Sequence, residues 1–392
     1  MKTITVLGST GSVGRTTIKL LLENRDKFEV KALAAGNNWK LLAEQARLLS
    51  PSFVAIENSD AYRSLQEALD GENIQVGAGP EAVVEAAKIN ADWVMAGIVG
   101  VAGLPATVAA VRRGALIAFA NKECLVSAGS ILIEEAKKSN AKLIPVDSEH
   151  NAIFQVFENN NKHSIDKIIL TASGGPFRTT NLSDMELKTP EAALAHPNWE
   201  MGAKISIDSA TMMNKGLEII EACFLFAMPE NRIDVVVHPQ SIVHSLVAYK
   251  DGSLLAQLGS PDMATPIAYS LAWPERMAIS QQLLDLKVTV PLTFEEPDTA
   301  RFPALNLARE SIRLAGNSNL VLNAANEIAV KGFLSRQIKF TDIIPFIKTV
   351  LDKEYGKEPI SIDEVLLMDR VVRQSANHLL KLKTKNVTSY TG

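Results

Sequence analysis

Short apolar runs alternate with amphipathic stretches through residues 3–146, and this alternation restricts the chain to few folds. The run TITVL at 3–7 reads as a buried strand, and a helical pattern follows at 15–22. Further strands are expected at 29–35, 53–56, 74–76, 92–96, 115–119 and 142–146, with helices at 60–69, 80–88, 104–113 and 127–138. Strands joined through helices run parallel, with right-handed crossovers and both sheet faces covered. Ligands on such sheets collect at the carboxyl ends of the strands.

Gly8, Gly11 and Gly14 mark the first strand-to-helix turn, GSTGSVG. Glycine there permits a tight turn and lets the backbone approach a pyrophosphate at the helix N-terminus. At the start of a βαβ unit the loop points to a dinucleotide, whereas elsewhere it would be only a turn. The second strand ends in Gly36, Asn37, Asn38, Trp39 and Lys40. An acidic side chain at that strand end would hold the ribose 2′-hydroxyl of NAD, and none is present. Amides and a lysine suit a 2′-phosphate, so NADP is expected, although Gly and Asn also serve ordinary turns.

Beyond residue 146 the rhythm changes. Strands at 167–171, 204–208 and 233–238 indicate a second sheet, with a hairpin whose arms, 244–250 and 253–258, meet at Asp251-Gly252. Four of the seventeen prolines (Pro274, Pro291, Pro297, Pro303) fall in 274–303, which reads as a linker. Helical patterns follow at 304–314, 319–334, 341–353 and 362–381, with a frayed end at 384–392. The expected class is α/β: a Rossmann-like parallel-sheet domain at 1–147, a central α+β domain at 148–273, the linker, and a C-terminal helical domain at 304–392.

A formal charge of −4 over 392 residues gives no electrostatic reason to expect nucleic acid or an anionic membrane as partner. The longest apolar stretch, 93–120, is broken by Gly97, Gly100, Gly103, Pro105 and the pair Arg112-Arg113, so no membrane span is expected, nor does the start read as a secretory signal. Cys124 and Cys223 lie far apart in sequence and fit a reducing cytoplasm rather than a disulfide framework.

Two polar clusters stand at strand ends, Asn121-Lys122-Glu123 and Asp147-Ser148-Glu149. In an extended segment Asp147 and Glu149 would point to one side. Hard carboxylate oxygens suit Mg²⁺ or Mn²⁺ rather than Zn²⁺, and the six histidines and two cysteines show no zinc-ligand spacing. Ser209 is expected to cap a helix at 210–226, where its hydroxyl and free N–H groups would welcome a phosphate. Asn214, Lys215 and Glu218 share one face of that helix and offer an amide, an ammonium and a carboxylate to one ligand. A solvated Lys–Glu pair has the same spacing, and Asp-x-Glu also occurs in exposed loops. Ile219, Ile220, Phe224 and Leu225 nevertheless place part of the segment in a core, where charges need partners. Ser173-Gly174-Gly175 suits an anion nest or a plain turn. The stretch 178–203, containing His196-Pro197-Asn198-Trp199, reads as a cover over a site.

Together GSTGSVG at 8–14, ANKE at 120–123, PVDSEHNAIFQ at 145–155, ASGGPFR at 172–178, HPNWEMGAKISIDSATMMNKGLE at 196–218, HPQSIVHS at 238–245, LGSPDM at 258–263 and LNAANEIAV at 322–330 resemble the 1-deoxy-D-xylulose 5-phosphate reductoisomerase family over nearly the whole chain. The resemblance implies conversion of that ketose phosphate to 2-C-methyl-D-erythritol 4-phosphate in non-mevalonate isoprenoid biosynthesis, with NADPH and Mg²⁺ or Mn²⁺. It makes the central domain catalytic and dimerising, and implies a homodimer through the edge of the second sheet. It implies Asp147, Glu149 and Glu218 as metal ligands and Ser173, Ser209, Asn214 and Lys215 as the phosphate cradle. Ser148, Lys122 and His196 would contact or cover the substrate, with Trp199 and Met201 on the closing loop. Thr10, Gly11, Ser12, Val13, Gly36, Asn37, Asn38, Asn121, Glu123 and Gly202, with Gly8 in the same loop, would line the NADPH site. Asn37 stands where some members have a basic residue. An NADP-dependent aldehyde or acyl-phosphate reductase without rearrangement, and a non-catalytic nucleotide sensor, are the alternatives. Acyl enzymes of the first kind commonly use a cysteine nucleophile, and neither Cys124 nor Cys223 sits in an obvious motif for one.

Overall fold

The computed structural model describes residues 1–388, except Pro197, Asn198, Glu200, Gln282 and 288–290. The chain divides into two compact units, each assembled from separated segments. Residues 1–124, 130–154 and 262–283 form the first; residues 125–129, 155–261 and those from 284 onward form the second.

The first unit is built on a seven-stranded sheet of β1 (Lys2–Leu7), β2 (Phe28–Ala35), β3 (Phe53–Ile56), β4 (Gln75–Ala78), β5 (Trp93–Ala96), β6 (Leu116–Phe119) and β7 (Lys142–Pro145), in the order β4-β3-β2-β1-β5-β6-β7. Every neighbouring pair is parallel, as the alternation predicts. The chain winds outward from β1 to β4 and returns to β5 on the other side of β1, so the strand order reverses between β1 and β5. A crevice for ligands opens at such a reversal. All four residues of β3 and of β5 are buried, as a sheet covered on both faces requires.

Helix Ser12–Glu23 starts inside the glycine motif, directly after Gly11, and takes Gly14 into its first turn. Gly8 has φ +85°, and a Cβ there would stand 2.6 Å from the Gly97 carbonyl oxygen at the end of β5. A Cβ on Gly14 would lie 2.1 Å from the Gly8 carbonyl oxygen, so side chains are excluded where helix and loop cross. One element was not expected. Helix Ala264–Ala272 buries Ile267, Ala268 and Leu271 in the same core as Ile4, Val6 and Trp93. The Trp93 indole donates to the Ser270 carbonyl at 3.0 Å.

The second unit contains a four-stranded sheet of β8 (Ile165–Ala172), β9 (Ile233–Val237), β10 (Val243–Tyr249) and β11 (Leu254–Leu258), ordered β11-β10-β8-β9. β8 and β9 are parallel, and β10 is antiparallel to both β8 and β11, so the expected hairpin is present. Helix Met213–Phe226 packs against β8, β9 and helix Ala304–Leu314. Gly216 permits that last approach, since a Cβ there would stand 2.9 Å from the Ala308 Cβ. Helices Ser318–Leu334, Ile343–Glu354 and Ile362–Thr388 follow. The last helix outruns its expected end, and residues 389–392 of the expected frayed tail lie outside the described residues.

Two expectations are corrected. The strand at 204–208 is part of helix Ala203–Thr211. The alternation in Lys-Ile-Ser-Ile-Asp imitates a strand, but the buried set of Ser206, Ile207, Asp208, Ala210 and Thr211 follows one helical face. The helix expected at 210–226 begins at Met213, because Met212 takes a left-handed backbone (φ +64°) that separates two helices. Ser209 therefore sits in the last turn of the first helix and caps nothing.

Candidate active site

In the first unit, β7 delivers Asp147, and helix Ser148–Val156 begins at the next residue. The extended backbone expected at 147–149 is absent; Glu149 is in the first helical turn. The turn nonetheless brings carboxylate oxygens of Asp147 and Glu149 within 4.8 Å of one another. Asn151 fixes the junction, its backbone N–H donating to the Asp147 carbonyl and its side-chain amide to the Pro145 carbonyl, each at 2.8 Å. Ser148 Oγ donates to Glu149 Oε2 at 2.6 Å. Lys122 Nζ meets Asp147 Oδ2 at 2.5 Å, with the side chains 9% and 13% exposed. Such a pair is screened far less than a surface one.

The loop residues Gly8, Thr10, Gly11, Ser12 and Val13 follow β1, and Gly36, Asn37 and Asn38 follow β2, its neighbour in the sheet. The structure thus gathers these expected cofactor residues at two adjacent carboxyl ends. Asn38 Oδ1 accepts from the Leu41 N–H at 3.2 Å and caps helix Trp39–Leu49, while Asn37 and Lys40 are exposed. Asn121 is a brace: its Oδ1 accepts from Cys124 N–H at 3.0 Å, and its Nδ2 donates to the Ile98 carbonyl and, at 2.8 Å, to the Gly100 carbonyl. Glu123 is buried in the first turn of helix Lys122–Ser139.

In the second unit Gly202 precedes helix Ala203–Thr211. Ser173 follows β8, and Gly174 and Gly175 turn the chain with φ of +83° and +69°. A Cβ on Gly175 would stand 2.6 Å from the Ser209 carbonyl oxygen, so this turn abuts the backbone of Ser209. His196 Nδ1 accepts from the Trp199 N–H at 3.0 Å, which puts the ring proton on Nε2. Nε2 then donates to Ser173 Oγ at 2.9 Å, as Gly175 N–H does at 3.2 Å. The Ser173 hydroxyl is left as a donor, suited to an anion. Trp199 lies edge-on to His244 with centroids 6.3 Å apart; Pro197 and Asn198 of the expected cover lie outside the described residues.

Asn214, Lys215 and Glu218 share one face as expected. Asn214 Nδ2 donates to Glu218 Oε1 and Lys215 Nζ to Glu218 Oε2, both at 2.5 Å. The Lys215 and Glu218 side chains are 4% and 0% exposed, so the solvated-pair reading is set aside. Asn214 and Lys215 stand in the first turn of helix Met213–Phe226, whose positive end takes the place assigned to Ser209 as cap. The sequence reading missed Asp208. It is 1% exposed, bonded to Lys204 and Asn326, and the mistaken strand concealed it.

A reversing parallel sheet with a glycine loop, followed by an acidic cluster and an anion-suited cradle, defines a dinucleotide-dependent α/β enzyme of phosphorylated substrates. The 1-deoxy-D-xylulose 5-phosphate reductoisomerase family model matches residues 4–129, and two models of that enzyme's C-terminal domain match 143–226 and 258–375. The chain belongs to this family. Its relative from Zymomonas mobilis is 51% identical over 97% of this chain and 98% of the relative; that from Rhodospirillum centenum is 53% identical over 97% and 94%. A solved Z. mobilis structure, in complex with NADPH, superposes with TM-score 0.93 at 50% identity, covering 97% of this chain and 99% of that one. A DOX-P reductoisomerase with NADPH, fosmidomycin and magnesium gives 0.93 at 41% identity, covering 97% and 99%.

Burial holds the His196 imidazole below its ordinary value. Because the folded form resists the proton, its contribution to stability is present above the unfolded value of about 6.5 and is lost as pH falls through the lower folded value. Protonated Nδ1 can no longer accept from Trp199. In an NMR titration the His196 ring is expected to show a midpoint below about 6.5, with the Trp199 amide shifting at the same pH. A midpoint at or above that value, or an indifferent Trp199 amide, contradicts the bond.

Proposed function

We propose that the chain carries out its family's reaction through the residues assigned above. It isomerises and reduces 1-deoxy-D-xylulose 5-phosphate to 2-C-methyl-D-erythritol 4-phosphate with NADPH and a divalent cation. The observation that carries the site assignment is the closeness of Asp147 and Glu149. Two carboxylates within 4.8 Å repel unless positive charge lies between or beside them, and their hard oxygens fit Mg²⁺ or Mn²⁺. Glu218 is the third ligand. The glycine loop fits the cofactor as well: with no side chain at Gly8 or Gly14, the loop packs directly on Gly97 and on the start of helix Ser12–Glu23, at whose N-terminus a pyrophosphate would bind.

Magnesium, when bound, supplies Lewis acidity at the ketone and neighbouring hydroxyl oxygens, and NADPH supplies the hydride. The remaining work is that of side chains. Ser173, Ser209, Asn214 and Lys215 hold the phosphate, a handle remote from the reacting carbons whose binding energy orients the rest. Lys122, fixed against Asp147, keeps an ammonium beside the substrate hydroxyls while one carbon–carbon bond breaks and another forms, as retro-aldol and then aldol. Ser148 orients the Glu149 carboxylate. His196, Trp199 and Met201 cover the site and exclude water. Thr10, Gly11, Ser12, Val13, Gly36, Asn37 and Asn38 line the cofactor site, with Asn121 and Glu123 supporting its floor and Gly202 closing it. The cysteine chemistry common among acyl-phosphate reductases is not favoured, because burial pushes the Cys223 thiol up to about 12 and Cys124 is fully buried.

Edge strand β11 exposes Leu254, Leu255 and Leu258 at 52%, 42% and 39%, which supports a homodimer formed along this edge. No helix among the described residues is long and apolar enough to cross a membrane. Both cysteines are free, which is compatible with the reducing cytoplasm expected from the sequence. Sedimentation equilibrium is expected to give twice the chain mass, reduced to one by Leu255→Lys; a wild-type monomer contradicts the dimer. In an NADPH-oxidation assay with the ketose phosphate, Glu149→Gln is expected to lower kcat by about 10²–10³ with its circular dichroism unchanged. Turnover by that variant at the wild-type rate, in metal-free buffer, would defeat the assignment.

A further inference from the structure

The motif LNAANEIAV at 322–330 has no part in the chemistry above, yet it places two amides where amides are costly. Asn323 and Asn326 have no exposed surface on helix Ser318–Leu334, and a buried amide must find partners. Asn323 Nδ2 donates to Glu327 Oε1 at 3.2 Å, and Ser127 Oγ lies 3.4 Å away. Asn326 Nδ2 donates to Asp208 Oδ1 at 2.8 Å. A carboxylate only accepts, so Asn326 turns its NH₂ toward Asp208 and leaves its own Oδ1 without a partner among the described residues.

Asp208 is the centre of this arrangement. Its other oxygen, Oδ2, meets Lys204 Nζ at 2.9 Å, and Lys204 stands in the first turn of the same helix, Ala203–Thr211, two residues after Gly202. The carboxylate thus joins the start of that helix, where the covering loop ends, to helix Ser318–Leu334 behind it, and those helices pack together. The residue after Asp208 is Ser209. The turn carrying Ser173 abuts the Ser209 backbone so closely that a Cβ on Gly175 would collide with it. A displacement of helix Ala203–Thr211 by a few tenths of an ångström therefore moves Ser209 and presses on the Ser173 turn together.

We propose that Asp208, held between Lys204 and Asn326, is a positioning residue that sets Ser209 and the Ser173 turn at the spacing that a sugar phosphate requires. The proposal rests on the reading of Ser173 and Ser209 as phosphate ligands. Asp208 itself touches no substrate. Its carboxylate supplies the fixed point from which the cradle is measured, and the asparagine motif supplies the wall that fixes it. Charge is needed as well as shape. An amide at 208 still accepts from Asn326 but no longer attracts the Lys204 ammonium, so the start of the helix loosens first.

The test is steady-state kinetics on the full chain with the ketose phosphate, NADPH and Mn²⁺. Asp208→Asn is expected to raise the substrate KM about tenfold, with kcat and the NADPH KM within about twofold of wild type. Asn326→Asp sets carboxylate against carboxylate and is expected to raise the substrate KM further. The exchanged pair Asp208→Asn with Asn326→Asp removes that repulsion and re-forms the bond with donor and acceptor reversed, but leaves 208 without a charge for Lys204, so its substrate KM is expected to fall from the Asn326→Asp value back to about that of Asp208→Asn. A substrate KM unchanged in Asp208→Asn overturns the proposal. So does a fall in kcat alone with both KM values unchanged, since that is what loss of folded enzyme produces. If wild type does not turn over the ketose phosphate, the functional reading fails separately. Binding of inorganic phosphate, followed by calorimetry in wild type and Asp208→Asn, then decides: weaker binding in the variant supports the proposal and equal binding overturns it.

Discussion

A carboxylate with no exposed surface fixes much of the second unit. Glu218 sits inside helix Met213–Phe226, and removing such a group from water costs several kcal/mol unless its oxygens are met. Asn214 and Lys215 meet them from the preceding turn, at 2.5 Å each. That arrangement needs the helix to begin at Met213, so that both donors lie in its first turn and face the carboxylate. The left-handed backbone at Met212 supplies the start. It also ends the preceding helix, setting Ser209 beside the Ser173 turn instead of at a helix cap. The buried anion's partners and the proposed phosphate cradle thus follow from one break in the chain.

The first unit solves a matching problem with strand ends. Its parallel sheet reverses between β1 and β5, and glycine at 8 and 14 lets the loop after β1 pack against Gly97 and the start of helix Ser12–Glu23, where we place the dinucleotide. At β7 the helix beginning at Ser148 draws Asp147 and Glu149 together, and Lys122 offsets part of their repulsion. In each unit acidic side chains stand beside fixed positive groups, so electrostatic preorganisation is built before any ligand arrives.

Much of this was legible in the sequence. The βα alternation gave the parallel sheet because strands buried on both faces read as continuous apolar runs, and Asp251-Gly252 located the hairpin. The helical spacing of Asn214, Lys215 and Glu218 identified their common face. What failed did so for local reasons. Lys-Ile-Ser-Ile-Asp at 204–208 alternates as a strand would, while the burial that makes it helical comes from Asn326 and its helix, more than a hundred residues away in sequence. Met212 at φ +64° has no signature, because methionine rarely adopts that backbone. Helix Ala264–Ala272 is buried over most of its surface and so shows no amphipathic period. Asp147 and Glu149 were paired for the wrong geometric reason, by pleat alternation rather than by a helical turn.

The central claim is that Asp147, Glu149 and Glu218 are shared by one divalent cation. Electron paramagnetic resonance of Mn²⁺ titrated into the protein tests it most directly, because free Mn²⁺ is counted without any need for turnover. The account predicts one tight Mn²⁺ per chain, weakened at least tenfold by Asp147→Asn and likewise by Glu218→Gln, with circular dichroism confirming that each variant is folded. Undiminished binding in either variant, or a wild-type chain that takes up no Mn²⁺, would contradict it.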